Sequence, residues 1–261
     1  MRPVALTIAG SDPSGGAGVQ ADLKTFHQFG VYGEAVITLA TVQNTRCVSR
    51  VHVLPSDLVT DQIEAVISDI RPQAAKTGAL GNVDVIEAVA RRAARFEFPL
   101  VVDPVLISKH GARLLSSDGE KALRTLLQYA ALVTPNIPEA EALTGLAIHS
   151  EYEMIAAGRR ILEFGCGAVL VKGGHSEGGD AVDILATGGS IERFSRPRIQ
   201  TRNTHGTGCT FSAAITACLA KGASLTVAVA TAKEYIQAAI ESAVPLGSGI
   251  GPLNHFANVV D

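Results

Sequence analysis

A chain of 261 residues with 47% hydrophobic and 18% charged side chains can bury a large core, and an α/β unit of this length is routinely one domain, expected here over residues 1–261. Its formal net charge of -3, with no run of Lys or Arg, leaves no electrostatic footprint for nucleic acid or an anionic membrane surface, and no apolar run reaches membrane-span length. Four cysteines (Cys47, Cys166, Cys209, Cys218) without Cys-x-x-Cys or zinc spacing imply neither a disulfide framework nor a structural metal.

Met1-Arg2-Pro3 leads at once into an apolar run, Val4 to Ala9, rather than into a signal peptide, so the expected location is cytoplasmic. The run ends in a glycine loop, Gly10 to Gly18, after which Val19, Leu23 and Phe26 mark a helical face: the first half of a βαβ unit. Gly16-x-Gly18-x-x-Ala21 loosely matches a dinucleotide fingerprint, which wants a carboxylate at the end of the second strand. That strand, Ala35 to Ala40, runs out instead into Thr41-Val42-Gln43-Asn44, where Gln43 offers an amide suited to a heterocycle edge or a plain loop glutamine. Val48 to Leu54 is a strand or a flap, and Ser56 looks like the cap of a helix carrying Leu58, Ile63, Val66, Ile67 and Ile70.

Strand and helix then alternate. Ala74 to Thr77 is a brief strand, Asn82 caps the next helix, and Leu100 to Asp103 is an apolar strand before a helix over Ser117 to Tyr129. Leu132 to Thr134 leads into Pro135-Asn136-Ile137-Pro138-Glu139. Glu151 to Phe164 is helical, Ala168 to Lys172 is a buried strand, and Ala181 to Ala186 with Ser190 to Phe194 reads as a β-hairpin adding antiparallel strands to one edge of a parallel sheet. A last long helix opens at Ser224. Ligands of open α/β sheets bind outside the carboxyl ends of the strands, so Asp103, Asn136, Glu139 and Lys172 share the functional edge.

Asn203 to Ser212 lies between the hairpin and that last helix. Phe211, Ala214, Ile215, Cys218 and Leu219 predict one buried helical face, so a glycine loop feeds a helix N-terminus whose N–H groups at Gly206, Thr207, Gly208 and Cys209 can hold an anion. Cys209 stands in the first turn, where the dipole is expected to lower its pKa and expose a thiolate; the other three cysteines are expected to pack as small apolar residues. An anion cradle, a lysine, two carboxylates and an amide are the parts phosphoryl transfer requires, with Asp103 and Glu139 holding magnesium largely through water. Each also has a bland alternative: a loop before a core helix, a cap, a surface charge.

Ala-Gly-Ser-Asp-Pro-Ser-Gly-Gly-Ala-Gly at 9–18, Asp-Pro-Val at 103–105, Thr-Pro-Asn-Ile-Pro-Glu-Ala-Glu at 134–141 and Asn-Thr-His-Gly-Thr-Gly-Cys-Thr-Phe-Ser at 203–212 resemble the bacterial hydroxymethylpyrimidine/phosphomethylpyrimidine kinases of thiamine synthesis, in the ribokinase-like superfamily. The resemblance runs through nearly the whole chain. It implies a three-layer α/β/α fold around an eight- or nine-stranded, mainly parallel sheet, commonly in a homodimer. It further implies two successive transfers from ATP, with magnesium, to 4-amino-5-hydroxymethyl-2-methylpyrimidine and then to its monophosphate. Position by position, Gln43, Asp22 and Gly10 match the substrate site, Lys172 the lysine near the phosphates, and Asn136 and Glu139 the Asn-x-x-Glu motif that organises magnesium. Thr207 and Asn136 fall to the nucleotide. Cys209 stands where sugar kinases of the superfamily carry an aspartate base, which argues against a sugar and makes it the acceptor of the hydroxymethyl proton beside Gly206 and Gly208.

Rival readings are a pyridoxal or pyridoxine kinase, a thiol enzyme pairing Cys209 with His205, and a nucleotide-binding regulator without turnover. Lys109 and His110 form either a solvated loop or a lid, His175 either touches the nucleotide or is only a polar loop residue, and His205 is a satisfied structural histidine.

Overall fold

A computed structural model describes residues 2–106, 117–174 and 179–259; Lys109, His110 and His175, and with them the expected lid, lie outside the described residues. In chain order the strands are β1 (Val4–Ser11), β2 (Tyr32–Gln43), β3 (Val48–Val53), β4 (Ala74–Thr77), β5 (Leu100–Val102), β6 (Leu132–Val133), β7 (Ala168–Lys172), β8 (Asp180–Thr187) and β9 (Ile191–Pro197). The helices are α1 (Gly18–Gln28), α2 (Ser56–Asp69), α3 (Val83–Ala93), α4 (Ser117–Leu127), α5 (Ile137–Thr144), α6 (Glu151–Leu162), α7 (Thr207–Ala220) and α8 (Leu225–Glu241).

The strands form one nine-stranded sheet in the order β3-β2-β1-β4-β5-β6-β7-β8-β9. Strands β2 to β7 across that order are parallel, whereas β3 and the β8–β9 hairpin are antiparallel at opposite edges. The fold class is the expected one, and β3 turns out to be a strand, so both edges are antiparallel.

Alternation along the strands divides the core. Leu6 and Ile8 of β1, Leu100 and Val102 of β5, and Val169 and Val171 of β7 face a layer of α2 to α6; Ala5, Val101 and Leu170 face a layer of α1, α7 and α8. Right-handed crossovers make this arrangement necessary. The chain leaves β1 towards β2 over α1, then passes back through α2 to β4 on the other side of β1, and reversing direction with the same hand requires the opposite face. The reversal leaves a crevice beyond the carboxyl ends of β1 and β4.

Two local expectations need correction. Pro55 rather than Ser56 occupies the N-cap of α2, without a side-chain cap, whereas Asn82 does cap α3 by accepting from Val85 N–H at 3.0 Å. Residues 137–144, to which the sequence assigns no element, form helix α5. Helix α7 is not buried on one face: Thr210, Ser212, Ala213, Thr216, Ala217 and Ala220 are buried too, while Leu219 is half-buried. A run of small residues lets α7 lie directly on the sheet with α1 and α8 beside it.

Candidate active site

A cavity of about 780 Å³ opens at the crevice. Its wall includes Gly10 and Asp12 from the first glycine loop, Gln43 from the end of β2, Asp103 beyond β5, Asn136 and Glu139 at the start of α5, Lys172 from β7, and Gly206 to Cys209 at the start of α7. Residues spread over nearly 200 positions of sequence thus meet because five parallel strands end on one rim.

The cradle depends on glycine. Gly206 caps α7 with φ +80°, in the left-handed region, and a Cβ there would come within 1.8 Å of the Gly16 carbonyl oxygen. Two glycine loops therefore interlock, one from each end of the chain. Thr210 N–H closes the first helical bond onto Gly206 O, and Thr207 N–H reaches Thr204 O at 3.4 Å. The N–H groups of Gly208 and Cys209 take no such carbonyl partner and remain for an anion at the positive end of the helix.

Opposite the cradle, Lys172 Nζ donates to Asp103 Oδ1 at 2.9 Å, and a Cβ on Gly208 would lie 3.3 Å from that ammonium. Asp103 also accepts from Thr134 Oγ1 at 3.1 Å and from Ser212 Oγ at 3.4 Å. Burial alone would lower the Lys172 pKa, but the carboxylates of Asp103 and Glu139 outweigh it and raise it, so the lysine stays charged. Asn136 and Glu139 form a capping box on α5: Asn136 Oδ1 accepts from Glu139 N–H at 2.9 Å, and Glu139 Oε2 accepts from Asn136 N–H at 2.8 Å. The Asn136 carbonyl is committed to the cap, which leaves its NH₂ end for a ligand. Burial pushes the Glu139 carboxyl up to about 8, with Asp103 adding to it and Lys172 opposing. A buried carboxyl held protonated by its surroundings is one that a bound cation would ionise, so this pair fits magnesium held through water. Among the described residues no three His, Cys, Asp or Glu side chains form a ready-made ligand set.

Two expectations fail on inspection of the site. The Cys209 thiol is not activated by the helix dipole: burial pushes its pKa up to about 11, the carboxylates of Asp22 and Asp103 push the same way, and Lys76 and a Gly18 N–H hydrogen bond oppose them. Nor does Asp22 line the cavity. It is fully buried beneath the wall, where Oδ2 accepts from Thr7 Oγ1 at 2.6 Å and from Lys76 Nζ at 2.8 Å. Cys47 is exposed in the β2–β3 turn and Cys209 keeps part of its surface open at the cavity wall, so Cys166 and Cys218 are the two buried cysteines.

The sequence reading overlooked Asp12 and Lys76 and left His205 as structural. His205 Nε2 lies 2.7 Å from Asp12 Oδ2 and 3.2 Å from the Gln43 amide nitrogen, so the histidine joins both glycine loops to the residue that faces a heterocycle. Asp12 is fixed in turn by Ser14 N–H and Ala17 N–H. A signal for Lys76 was present: a lysine inside the four-residue buried strand Ala74–Thr77 requires a partner. His205 is tied to Asp12 rather than set against Cys209 as a catalytic pair, which removes the geometric basis of the thiol-enzyme alternative.

Comparison with known proteins places these residues in context. A sequence profile of the family described as phosphomethylpyrimidine kinase matches residues 12–254. The thiamine biosynthesis bifunctional protein ThiED of Geobacter sulfurreducens is 50% identical over 262 residues, covering 100% of this chain and 54% of that protein. The hydroxymethylpyrimidine/phosphomethylpyrimidine kinase of Staphylococcus aureus is 47% identical over 258 residues, covering 97% of this chain and 94% of that one. Among solved structures, an ADP complex of Bacillus subtilis pyridoxal kinase superposes with a TM-score of 0.92 at 39% identity over 98% of each chain. The chain thus spans about half the length of the bifunctional relative and nearly all of the single kinases.

Proposed function

This chain belongs to the phosphomethylpyrimidine kinase family, and we propose that it transfers the γ-phosphoryl group of ATP to 4-amino-5-hydroxymethyl-2-methylpyrimidine and then to the resulting monophosphate, in thiamine diphosphate synthesis. The observation that carries the assignment to the site is the meeting, in one cavity, of the open N–H groups of Gly208 and Cys209 with Lys172, Asp103 and Gln43. Phosphoryl transfer asks the protein mainly to position phosphates and neutralise the charge that develops.

In this scheme Gln43 reads the pyrimidine edge and Gly10 allows the ring to approach the backbone. The N–H groups around Gly206 and Gly208 hold the transferring phosphate, and Lys172 neutralises its charge. Thr207 and the Asn136 NH₂ face the nucleotide. Asp103 and Glu139 would hold magnesium through water, and the ion would supply neutralisation of charge on the phosphate oxygens. Cys209 accepts the hydroxymethyl proton, a role that needs a thiolate the ligand-free site does not hold at neutral pH. The second transfer needs no base, because the nucleophile is already a phosphate.

The structural similarity to a pyridoxal kinase supports a second substrate reading with the same fold and mechanism. ATP consumption with magnesium, compared across hydroxymethylpyrimidine, its monophosphate, pyridoxal and ribose, separates the two. Turnover with both pyrimidines is expected; preference for pyridoxal would replace the substrate, and no turnover would leave a nucleotide-binding regulator. Cytoplasmic residence and a homodimer belong to the same proposal. Among the described residues no helix is long and apolar enough to cross a membrane, and light scattering on the purified protein tests the dimer.

A further inference from the structure

His205 is enclosed where the two glycine loops interlock: its backbone N–H donates to Gly251 O at 2.9 Å, and a Cβ on Gly16 would lie 2.4 Å from its Cδ2. Asp12 decides which ring atom carries a hydrogen. Oδ1 accepts from Ser14 N–H at 2.9 Å and from Ser14 Oγ at 2.7 Å, while Oδ2 accepts from Ala17 N–H at 3.0 Å and faces His205 Nε2 at 2.7 Å. Burial would raise the Asp12 pKa, but the hydrogen bonds from His205 and Ser14 outweigh it and lower it, so the carboxylate is ionised. An ionised carboxylate only accepts, so Nε2 bears a hydrogen and donates it to Oδ2.

That hydrogen also decides how Gln43 stands, because one end of its carboxamide lies 3.2 Å from the same Nε2. An NH₂ group in that place would set two N–H donors against each other, whereas the carbonyl oxygen can share the Nε2–H with Asp12; a half-turn of the last side-chain torsion exchanges the two ends of the amide. With Oε1 on the histidine, the NH₂ end is left for the cavity that Gln43 lines, and among the described residues no other hydrogen bond holds it. We propose that His205, fixed by Asp12, is a positioning residue that turns the Gln43 carboxamide so that its NH₂ end donates to the acceptor molecule. The site then selects a heterocycle with an unprotonated ring nitrogen at that place; an exocyclic amino group, itself a donor, does not pair with Gln43. The positioning role presupposes Gln43 as the reader of the pyrimidine edge.

Nitrogen-15 NMR of the full-length protein with labelled histidine tests the premise without turnover. Near pH 7 the His205 Nε2 signal is expected to show a directly bonded proton, and an unprotonated Nε2 would overturn the proposal. Initial rates read the consequence. His205→Phe keeps a flat ring and removes the donor, so KM for hydroxymethylpyrimidine is expected to rise about tenfold, with kcat within about twofold and KM for ATP unchanged. His205→Gln, whose NH₂ can again donate to both partners, should recover most of the loss. In a Gln43→Ala background His205→Phe should add nothing further, because it acts through that amide. An unchanged pyrimidine KM in His205→Phe, an equal rise in KM for ATP, or additive effects in the double variant would overturn the positioning role. With the pyrimidine analogue lacking the 4-amino group, the Gln43→Ala penalty should persist; its disappearance would put the amino group on Gln43 and overturn the selection. An unchanged pyrimidine KM in Gln43→Ala would overturn the reading of Gln43 beneath it, and that variant leaves His205 in place, so the two failures are distinguishable.

Discussion

Asp22 stands three residues after Val19 and four before Phe26, on the face of α1 that packs against the sheet. Its burial was therefore legible from helical spacing alone, and only the family resemblance directed it to the substrate. Cys209 teaches the converse. Its position in the first turn of α7 was readable, but its protonation state was not, because that depends on how many atoms of other elements exclude water from the sulfur. With Cys209 in the proposed role of base for the first transfer alone, Cys209→Ala is expected to lower the first rate by about 10²-fold or more and the second by far less, a split read by assaying the two pyrimidine substrates separately. Glu139 gives a pH signature. Its folded pKa of about 8 lies above its ordinary 4.5, so the native state holds a proton that the unfolded chain has released, and stability is lost as pH rises from about 5 to 8. Gln at this position keeps the capping box but cannot titrate. The thermal midpoint of Glu139→Gln should match the parent near pH 5 and exceed it at pH 8; parallel curves would show that the carboxyl is not protonated in the native state.

At the scale of elements, the glycine cradle and the capping box both sit at helix starts, α7 and α5. Helix α5 was missed because Pro138 and two neighbouring turn-forming residues mask an eight-residue helix in which Pro occupies its first turn, where no N–H is needed. Helix α7 was found, but one-sided periodicity failed because alanine and threonine are small enough to be buried on every side. Its junction with the preceding loop is the most constrained point of the site. Gly206→Ala would force a side chain into both a left-handed backbone and the Gly16 carbonyl oxygen. The expected cost is about 2 kcal/mol or more, measured by denaturant unfolding, with loss of phosphate transfer at temperatures where the fold survives. Full activity in that variant would mean that the two loops can separate without consequence.

At the scale of the molecule, one cavity of about 780 Å³ is lined from Gln43 to the α8 residues Lys233, Ile236 and Gln237, and the proposed reaction places acceptor and nucleotide in it together. Direct transfer between them needs no covalent enzyme intermediate, so initial rates with ATP and pyrimidine varied together should give intersecting lines; parallel lines would point to a phosphoenzyme or another double-displacement route. The amino-acid sequence by itself determined the alternation of strands and helices, the glycine loop before α7, the rim on which Asp103, Glu139 and Lys172 stand, and the kinase family. Those follow from hydrophobic period, turn chemistry and short motifs, all of them local along the chain. Tertiary structure alone decided that Asp22 faces Lys76 instead of the cavity, that His205 bridges Asp12 and Gln43, and that Cys209 rests as a thiol. Each depends on groups separated by tens to nearly two hundred positions, brought together only where the sheet reverses, and on the water those groups exclude.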